Sequence, residues 1–167
     1  LKLIFSMGAG VDHILDDHSI PKDIPISRIV DPQMAFSMTN YIVMAVLNYQ
    51  RCWYDFQDAQ KRNHWAQFEF DEKNLKVGIL GIGHLGMDAA NALYRLGFEV
   101  FGYSNSPKET IFPSFYGKQL EEFLKKINVL VCTVPLTPKT RGLLSTKLFN
   151  ELAFPTYLIN VSRGAVQ

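Results

Sequence analysis

The chain has 167 residues, a length that suits one ordinary domain or a small unit joined to part of another. Hydrophobic residues make up 47% and charged residues 20%, a globular composition that argues against disorder. Lys+Arg is 17 and Asp+Glu is 16, so a net charge of +1 supports no nucleic-acid partner, and no apolar run approaches the ~18 residues that span a bilayer.

The first element is read as a buried strand, Leu1 to Ser6. It runs into a small-residue turn, Met7-Gly8-Ala9-Gly10-Val11-Asp12, and a short helix near 12–17. Pro21 and Pro25 mark loop, with a short strand expected at Ile26–Val30. Asp31-Pro32 has the form of a helix start, an N-cap followed by proline at the first helical position. Met38, Tyr41, Ile42, Ala45, Val46, Tyr49, Trp53 and Phe56 recur with a period near 3.6, which predicts one long amphipathic helix to about Arg62. Its stripe is read as packing surface.

From Lys76 the pattern alternates. Strands are expected at 76–81, 98–103, 128–134 and 156–161, and helices at 84–96, 118–126 and 145–152. The first of these helices is expected to bury Leu85, Ala89, Leu93 and Leu96, with Gly97 ending it and Ser145 capping the third helix. Alternating β and α segments with short links predict an α/β fold built on a doubly wound parallel sheet. The chain opens in one apolar strand and stops six residues after another, so a fragment of a longer protein is expected.

Gly81-Ile82-Gly83-His84-Leu85-Gly86 follows a strand and opens a helix within a βαβ unit. In that context G-x-G-x-x-G is a dinucleotide-binding loop. Gly81 permits the turn, Gly83 admits a pyrophosphate to the backbone, and Gly86 lets helix and strand approach. The competing readings are a turn that only packs, or another adenosine-ligand fold. Strand 98–103 is followed by Ser104-Asn105-Ser106-Pro107-Lys108, with no acid where NAD-selective folds place one. The hydroxyls, the amide and the Lys108 charge favour NADP(H), with NAD(H) retained as the alternative. No pair of histidines among His13, His18, His64 and His84 has metal-ligand spacing, so no metal is expected. Cys52 and Cys132 lie far apart in apolar surroundings, which points to inert thiols and a reducing cytoplasm.

Three segments occur in order: Gly8-Ala9-Gly10-Val11-Asp12, the Gly81–Gly86 loop, and Val134-Pro135-Leu136-Thr137-Pro138-Lys139-Thr140-Arg141-Gly142-Leu143 with Ile159-Asn160-Val161-Ser162-Arg163-Gly164. Together they resemble the D-isomer-specific 2-hydroxyacid dehydrogenases, and most the glyoxylate/hydroxypyruvate reductase branch. The resemblance implies a Rossmann-like NAD(P)-binding domain, incomplete here, preceded by part of a smaller α/β substrate domain. Residues 1–32 match the end of the first substrate-domain segment, and residues 33–167 the interdomain helix with the first part of the nucleotide domain. It implies reduction of a small 2-oxo acid to the D-2-hydroxy acid by hydride transfer.

The implied roles are specific. Ala9 and Gly10 hold the substrate carboxylate through backbone amides, and Arg163 is the catalytic arginine. Gly81, Gly83, His84, Leu85, Gly86, Ser104, Asn105, Ser106, Lys108, Val134, Pro135, Thr140, Val161 and Ser162 surround the cofactor. The family's glutamate and histidine follow the serine–arginine–glycine motif, and Gln167 comes before either, so these 167 residues alone are expected to be inactive. The resemblance also implies a homodimer. The alternative is an NAD(P)-binding interaction module of the same fold without turnover.

Overall fold

The computed structural model describes residues 1–68 and 75–167. Near the N-terminus, β1 (Ile4–Ser6) and β2 (Ile26–Arg28) pair in parallel, with Ile4 opposite Ile26 and Ser6 opposite Arg28. Between them lies α1 (Asp12–Leu15), a single turn. The helix α2 (Pro32–Gln50) starts as its sequence dictates: the Asp31 carboxylate accepts from the Gln33 N–H at 2.9 Å, and Pro32 fills the first turn. Ala35, Thr39, Ile42 and Val46 fall on one buried face, spaced four, three and four residues apart.

The expected single helix to Arg62 is in fact two helices. α2 ends at Gln50, and α3 (Trp53–Lys61) begins after Cys52, which adopts the left-handed conformation with φ 50°. The apolar stripe runs through the break at Tyr49, Trp53 and Phe56, and no glycine or proline marks it. Periodicity therefore concealed it. The end of α2 is pinned by Tyr49, whose ring stacks on Tyr157 with centroids 4.3 Å apart.

Five parallel strands follow: β3 (Lys76–Leu80), β4 (Glu99–Ser104), β5 (Ser114–Tyr116), β6 (Val129–Cys132) and β7 (Tyr157–Asn160). Their spatial order is β5-β4-β3-β6-β7. α2 and α4 (His84–Arg95) cover one face, packing Ile42, Val46, Ala89 and Leu93 against Val77, Ile79, Val129 and Val131. α5 (Leu120–Leu124) and α6 (Thr146–Asn150) cover the other, packing Phe123, Leu124 and Leu148 against Leu80 and Leu130. Burial on both faces explains why these strands are apolar throughout. The doubly wound parallel sheet is thus as expected.

Further details differ from the sequence reading. The strand expected buried from Leu1 is confined to Ile4–Ser6, and Leu1, Leu3 and Phe5 are exposed because only β2 pairs with it in a two-stranded sheet; β2 stops at Arg28, short of the expected Val30. β5 was not anticipated, since three residues in a polar stretch at a sheet edge carry no periodic signal. The helix over 118–126 contracts to a 3-10 turn at Gly117–Gln119 and α5. Leu96, expected in the core, is exposed, because α4 ends at Arg95 and the chain turns away.

The sheet's winding reverses between β3 and β6, which leaves a crevice at their carboxyl ends. α2 is tied to α4 beside it by the Thr39 hydroxyl, which donates to Asp88 at 2.6 Å. The break at Cys52 yields a test with opposite signs for the two helix readings. Replacing Cys52 by glycine relieves a left-handed non-glycine residue and should leave stability unchanged or raise it by up to about 1 kcal/mol. In a continuous helix the same change would cost about 1 kcal/mol. Chemical denaturation of the two proteins distinguishes them.

Candidate active site at the carboxyl edge of the sheet

The loop between β3 and α4 is the most constrained part of the site. Gly81 has φ 105°, a conformation side chains rarely adopt. Its N–H and that of Ile82 donate to the Tyr103 carbonyl at 2.9 and 3.2 Å, which fixes the loop to β4. Its own carbonyl accepts from the Thr133 hydroxyl at 2.6 Å. A Cβ on Gly86 would lie 2.1 Å from that same carbonyl, so only glycine permits the helix to start here. Gly83 is different. It is the N-cap of α4, makes no side-chain cap bond, and a Cβ on it would meet nothing within 4 Å. The Gly83 carbonyl accepts from Met87, so the N–H groups of His84, Leu85 and Gly86 lack intrahelical partners. Open space, bare backbone and free amides at a helix start form a cradle for a phosphate group. The donor set fits a dinucleotide pyrophosphate. His84 is exposed beside it and Leu85 is half-buried.

Next to this loop, β4 ends in Ser104, half-buried, followed by exposed Asn105, Ser106 and Lys108. The Ser104 hydroxyl donates to the Ser106 carbonyl at 2.6 Å, which curls the segment into a tight polar turn. No acid lies between Tyr103 and Lys108.

The ends of β6 and β7 are stitched together. The Val161 N–H donates to the Cys132 carbonyl, the Ser162 hydroxyl donates to the Val134 carbonyl, and the Ser162 N–H donates to the Asn160 side chain at 3.0 Å. The Asn160 amide donates back to the Arg163 carbonyl at 3.2 Å. Thr140 accepts from the Thr137 N–H at 2.8 Å and donates to the Pro135 carbonyl at 2.6 Å, so its hydroxyl shapes the loop that follows β6. Cys132 is fully buried on β6, and burial pushes its thiol pKa up, which keeps it neutral and unreactive. Among the described residues, no cluster of three or more His, Cys, Asp or Glu could hold a metal ion, and no helix is long and apolar enough to cross a membrane.

The turn after β1 meets this edge. The Ser6 hydroxyl accepts from the Gly8 N–H at 3.2 Å and lies 3.3 Å from the Gly10 carbonyl. Arg28, at the end of β2, donates to the Ala9 carbonyl at 2.9 Å. The turn is therefore held through the Gly8 N–H and the Ala9 and Gly10 carbonyls. Among the described residues, the N–H groups of Ala9 and Gly10 have no hydrogen-bond partner. Arg163 reaches this turn from the far end of the chain: a Cβ on Gly10 would lie 1.9 Å from its Nη2. The Arg163 Nε donates to Asp12 at 3.2 and 3.3 Å, and Nη1 donates to the Ser162 carbonyl at 3.0 Å.

The expected residues thus gather along one edge: Ala9, Gly10 and Arg163 at one end, the Gly81–Gly86 loop at the other, and Val134, Pro135, Val161 and Ser162 between. Asp12 and Arg28 were missed. Asp12 carried a weak signal, an acid two residues beyond the turn. Arg28 became visible only once the β1–β2 register placed it opposite Ser6.

The two glycines give a paired prediction. Gly83→Ala should leave the melting temperature within about 2 °C of wild type but weaken NADPH binding at least about tenfold, because the added methyl occupies ligand space only. Gly86→Ala should lower both, because its methyl collides with the Gly81 carbonyl. Thermal melting and nicotinamide fluorescence titration report the two effects separately.

Comparison with known proteins agrees with this geometry. The profile of the D-isomer specific 2-hydroxyacid dehydrogenase NAD binding domain matches residues 43–167. Glyoxylate/hydroxypyruvate reductase A of Photorhabdus laumondii is 40% identical over 99% of this chain, and the Serratia proteamaculans protein of the same name is 38% identical. The chain spans 55% of the length of each. The crystal structure of an NADPH-dependent glyoxylate/hydroxypyruvate reductase from Sinorhizobium meliloti, with NADP and sulfate, superposes with a TM-score of 0.94 at 35% identity, covering all of this chain and 55% of that one. A probable 2-hydroxyacid dehydrogenase from Rhizobium etli, with NADP, HEPES and tartaric acid, gives 0.92 at 39% identity over the same shares. With this loop, this strand order and these relatives, the chain belongs to the D-isomer specific 2-hydroxyacid dehydrogenases.

Proposed function

We propose that the protein carrying this chain is an NADPH-dependent reductase of short 2-oxo acids, of the glyoxylate or hydroxypyruvate type, which yields the D-2-hydroxy acid. The observation that carries this reading is the Arg163 guanidinium set against the Gly8–Gly10 turn, at the edge that also bears the dinucleotide loop. Residues 1–32 act as the end of a substrate-domain segment, and residues 33–167 as the interdomain helix and the first part of the nucleotide domain.

The residues divide the work. The free N–H groups of Ala9 and Gly10 donate to one side of the substrate carboxylate. Arg163 offers a planar fork to its other side and to the carbonyl oxygen on which negative charge grows. When bound, NADPH supplies the hydride. Gly81, Gly83, His84, Leu85 and Gly86 hold its pyrophosphate at the start of α4, with Gly83 leaving the backbone bare. Val134, Pro135 and Thr140 line the adenosine side, and the Val161 and Ser162 backbone flanks the nicotinamide. Ser104, Asn105, Ser106 and Lys108 receive the 2′-phosphate. The absence of an acid between Tyr103 and Lys108 supports NADP(H) over NAD(H), as do the NADP complexes of the Sinorhizobium and Rhizobium proteins.

Protonation of the alkoxide requires a general acid near neutral pKa, normally a histidine. His13 is exposed on α1, and His18, His64 and His84 are also exposed. The family resemblance, in which a glutamate and a histidine follow the serine–arginine–glycine motif, assigns the donor to a histidine outside these 167 residues, and the 167 residues alone are expected to be inactive. Relatives nearly twice as long support that assignment. Apolar side chains left exposed on α2 and α3, among them Phe36, Tyr41, Met44 and Trp53, support a homodimer. Two free cysteines support a reducing cytoplasm as its setting.

The test is glyoxylate-dependent oxidation of NADPH by the full-length protein. Turnover should be faster with NADPH than with NADH by about tenfold or more in kcat/KM, and Arg163→Gln should lower kcat/KM by about 100-fold. Tight NADPH binding without turnover on any short 2-oxo acid would contradict the enzyme reading and favour a dinucleotide-dependent interaction module.

A further inference from the structure

Asp12 has no part in the division of work above, yet among the described residues it is the one side chain hydrogen-bonded to Arg163. A guanidinium carries five N–H groups on three nitrogens. Here Nε points between the two Asp12 oxygens, at 3.2 and 3.3 Å. One Nη1 proton is engaged by the Ser162 carbonyl at 3.0 Å. Nη2 lies in the space a Cβ of Gly10 would need. Two contacts thus fix the plane of the guanidinium and its rotation, and Nη2 faces the turn. Without the Asp12 contact, only one backbone carbonyl would orient a side chain that is 46% exposed.

The carboxylate is itself held in place. Asp12 opens α1, and its carboxyl pKa lies below the ordinary carboxylate value, chiefly through a hydrogen bond from its own backbone N–H and then through Arg163, with partial burial opposing. It is ionised at neutral pH. One turn further on, Asp16 faces Arg141 at 3.9 Å, so the segment bearing α1 meets the nucleotide-binding unit through two acid–arginine pairs.

We propose that Asp12 is a positioning residue, whose carboxylate holds the Nε of Arg163 so that Nη2 faces the Gly8–Gly10 turn where the substrate carboxylate docks. This rests on the function proposed above. The role is orientation, not stability, since exposed ion pairs stabilise a fold little. Asp12→Asn should therefore leave the melting temperature within about 2 °C of wild type.

The experiment is a double-mutant cycle on the full-length protein: wild type, Asp12→Asn, Arg163→Gln and the double variant, with Asp12→Glu as the conservative replacement. Glyoxylate kinetics at saturating NADPH, NADPH affinity, and calorimetric binding of oxalate to the NADPH complex are measured for each. Asp12→Asn should lower kcat/KM about tenfold or more, with NADPH affinity changed less than about twofold. In the Arg163→Gln background it should add less than about twofold, because Asp12 acts through the missing guanidinium. Asp12→Glu should recover part of the loss. An Asp12→Asn protein within about twofold of wild type, or an equal loss in both backgrounds, overturns the proposal. If wild type turns over no short 2-oxo acid, the proposed function falls, and the same cycle in oxalate affinity decides the role of Asp12. A wild type that neither turns over nor binds oxalate overturns both.

Discussion

The site exists because residue 10 has no side chain. Asp12 and Arg163 are 151 positions apart in sequence, and they meet because the Arg163 guanidinium fills the volume a Cβ on Gly10 would occupy. That close approach and the Asp16–Arg141 pair hold the turn after β1 at the carboxyl edge of the parallel sheet. They join a piece with its own two-stranded sheet to a piece with a five-stranded one. The proposed substrate recognition depends on the close approach, because it sets the arginine beside the turn that carries the free Ala9 and Gly10 amides.

The opposite end of the edge repeats the device with backbone in place of a side chain. A missing Cβ at Gly86 lets the Gly81 carbonyl sit where a side chain would be, and Thr133 secures that carbonyl by a hydrogen bond. The helix start is thereby drawn tightly onto β3, while Gly83 is left bare and open. The edge thus has a closed glycine at 86 and an open one at 83, told apart by what a methyl group would meet. Between these ends, the Ser162 and Asn160 contacts give the ends of β6 and β7 one rigid outline.

Much of this was legible in the sequence, wherever the information is local. Asp31-Pro32 and Ser145 announce their helices through side-chain caps that form as read, and the glycine loop announces itself through its place between a strand and a helix. The alternating strands and helices foretold the winding, because strands buried on both faces must be apolar throughout. What was not legible depends on partners distant in sequence. The break at Cys52 leaves the apolar stripe intact, so periodicity runs straight through it. β5 is a strand only because β4 offers its edge. Asp12 reads as an ordinary helix-start acid until Arg163 arrives beside it, and Arg28 gains meaning only from the register of β2 on β1.

The central claim is that the Gly8–Gly10 turn and Arg163 together hold a carboxylate. A crystal structure of the full-length protein with NADP and oxalate tests it most directly. One oxalate carboxylate should lie between the Ala9 and Gly10 N–H groups and the Arg163 guanidinium, with Asp12 still on Nε. Oxalate bound elsewhere, with Arg163 turned to solvent, would contradict it.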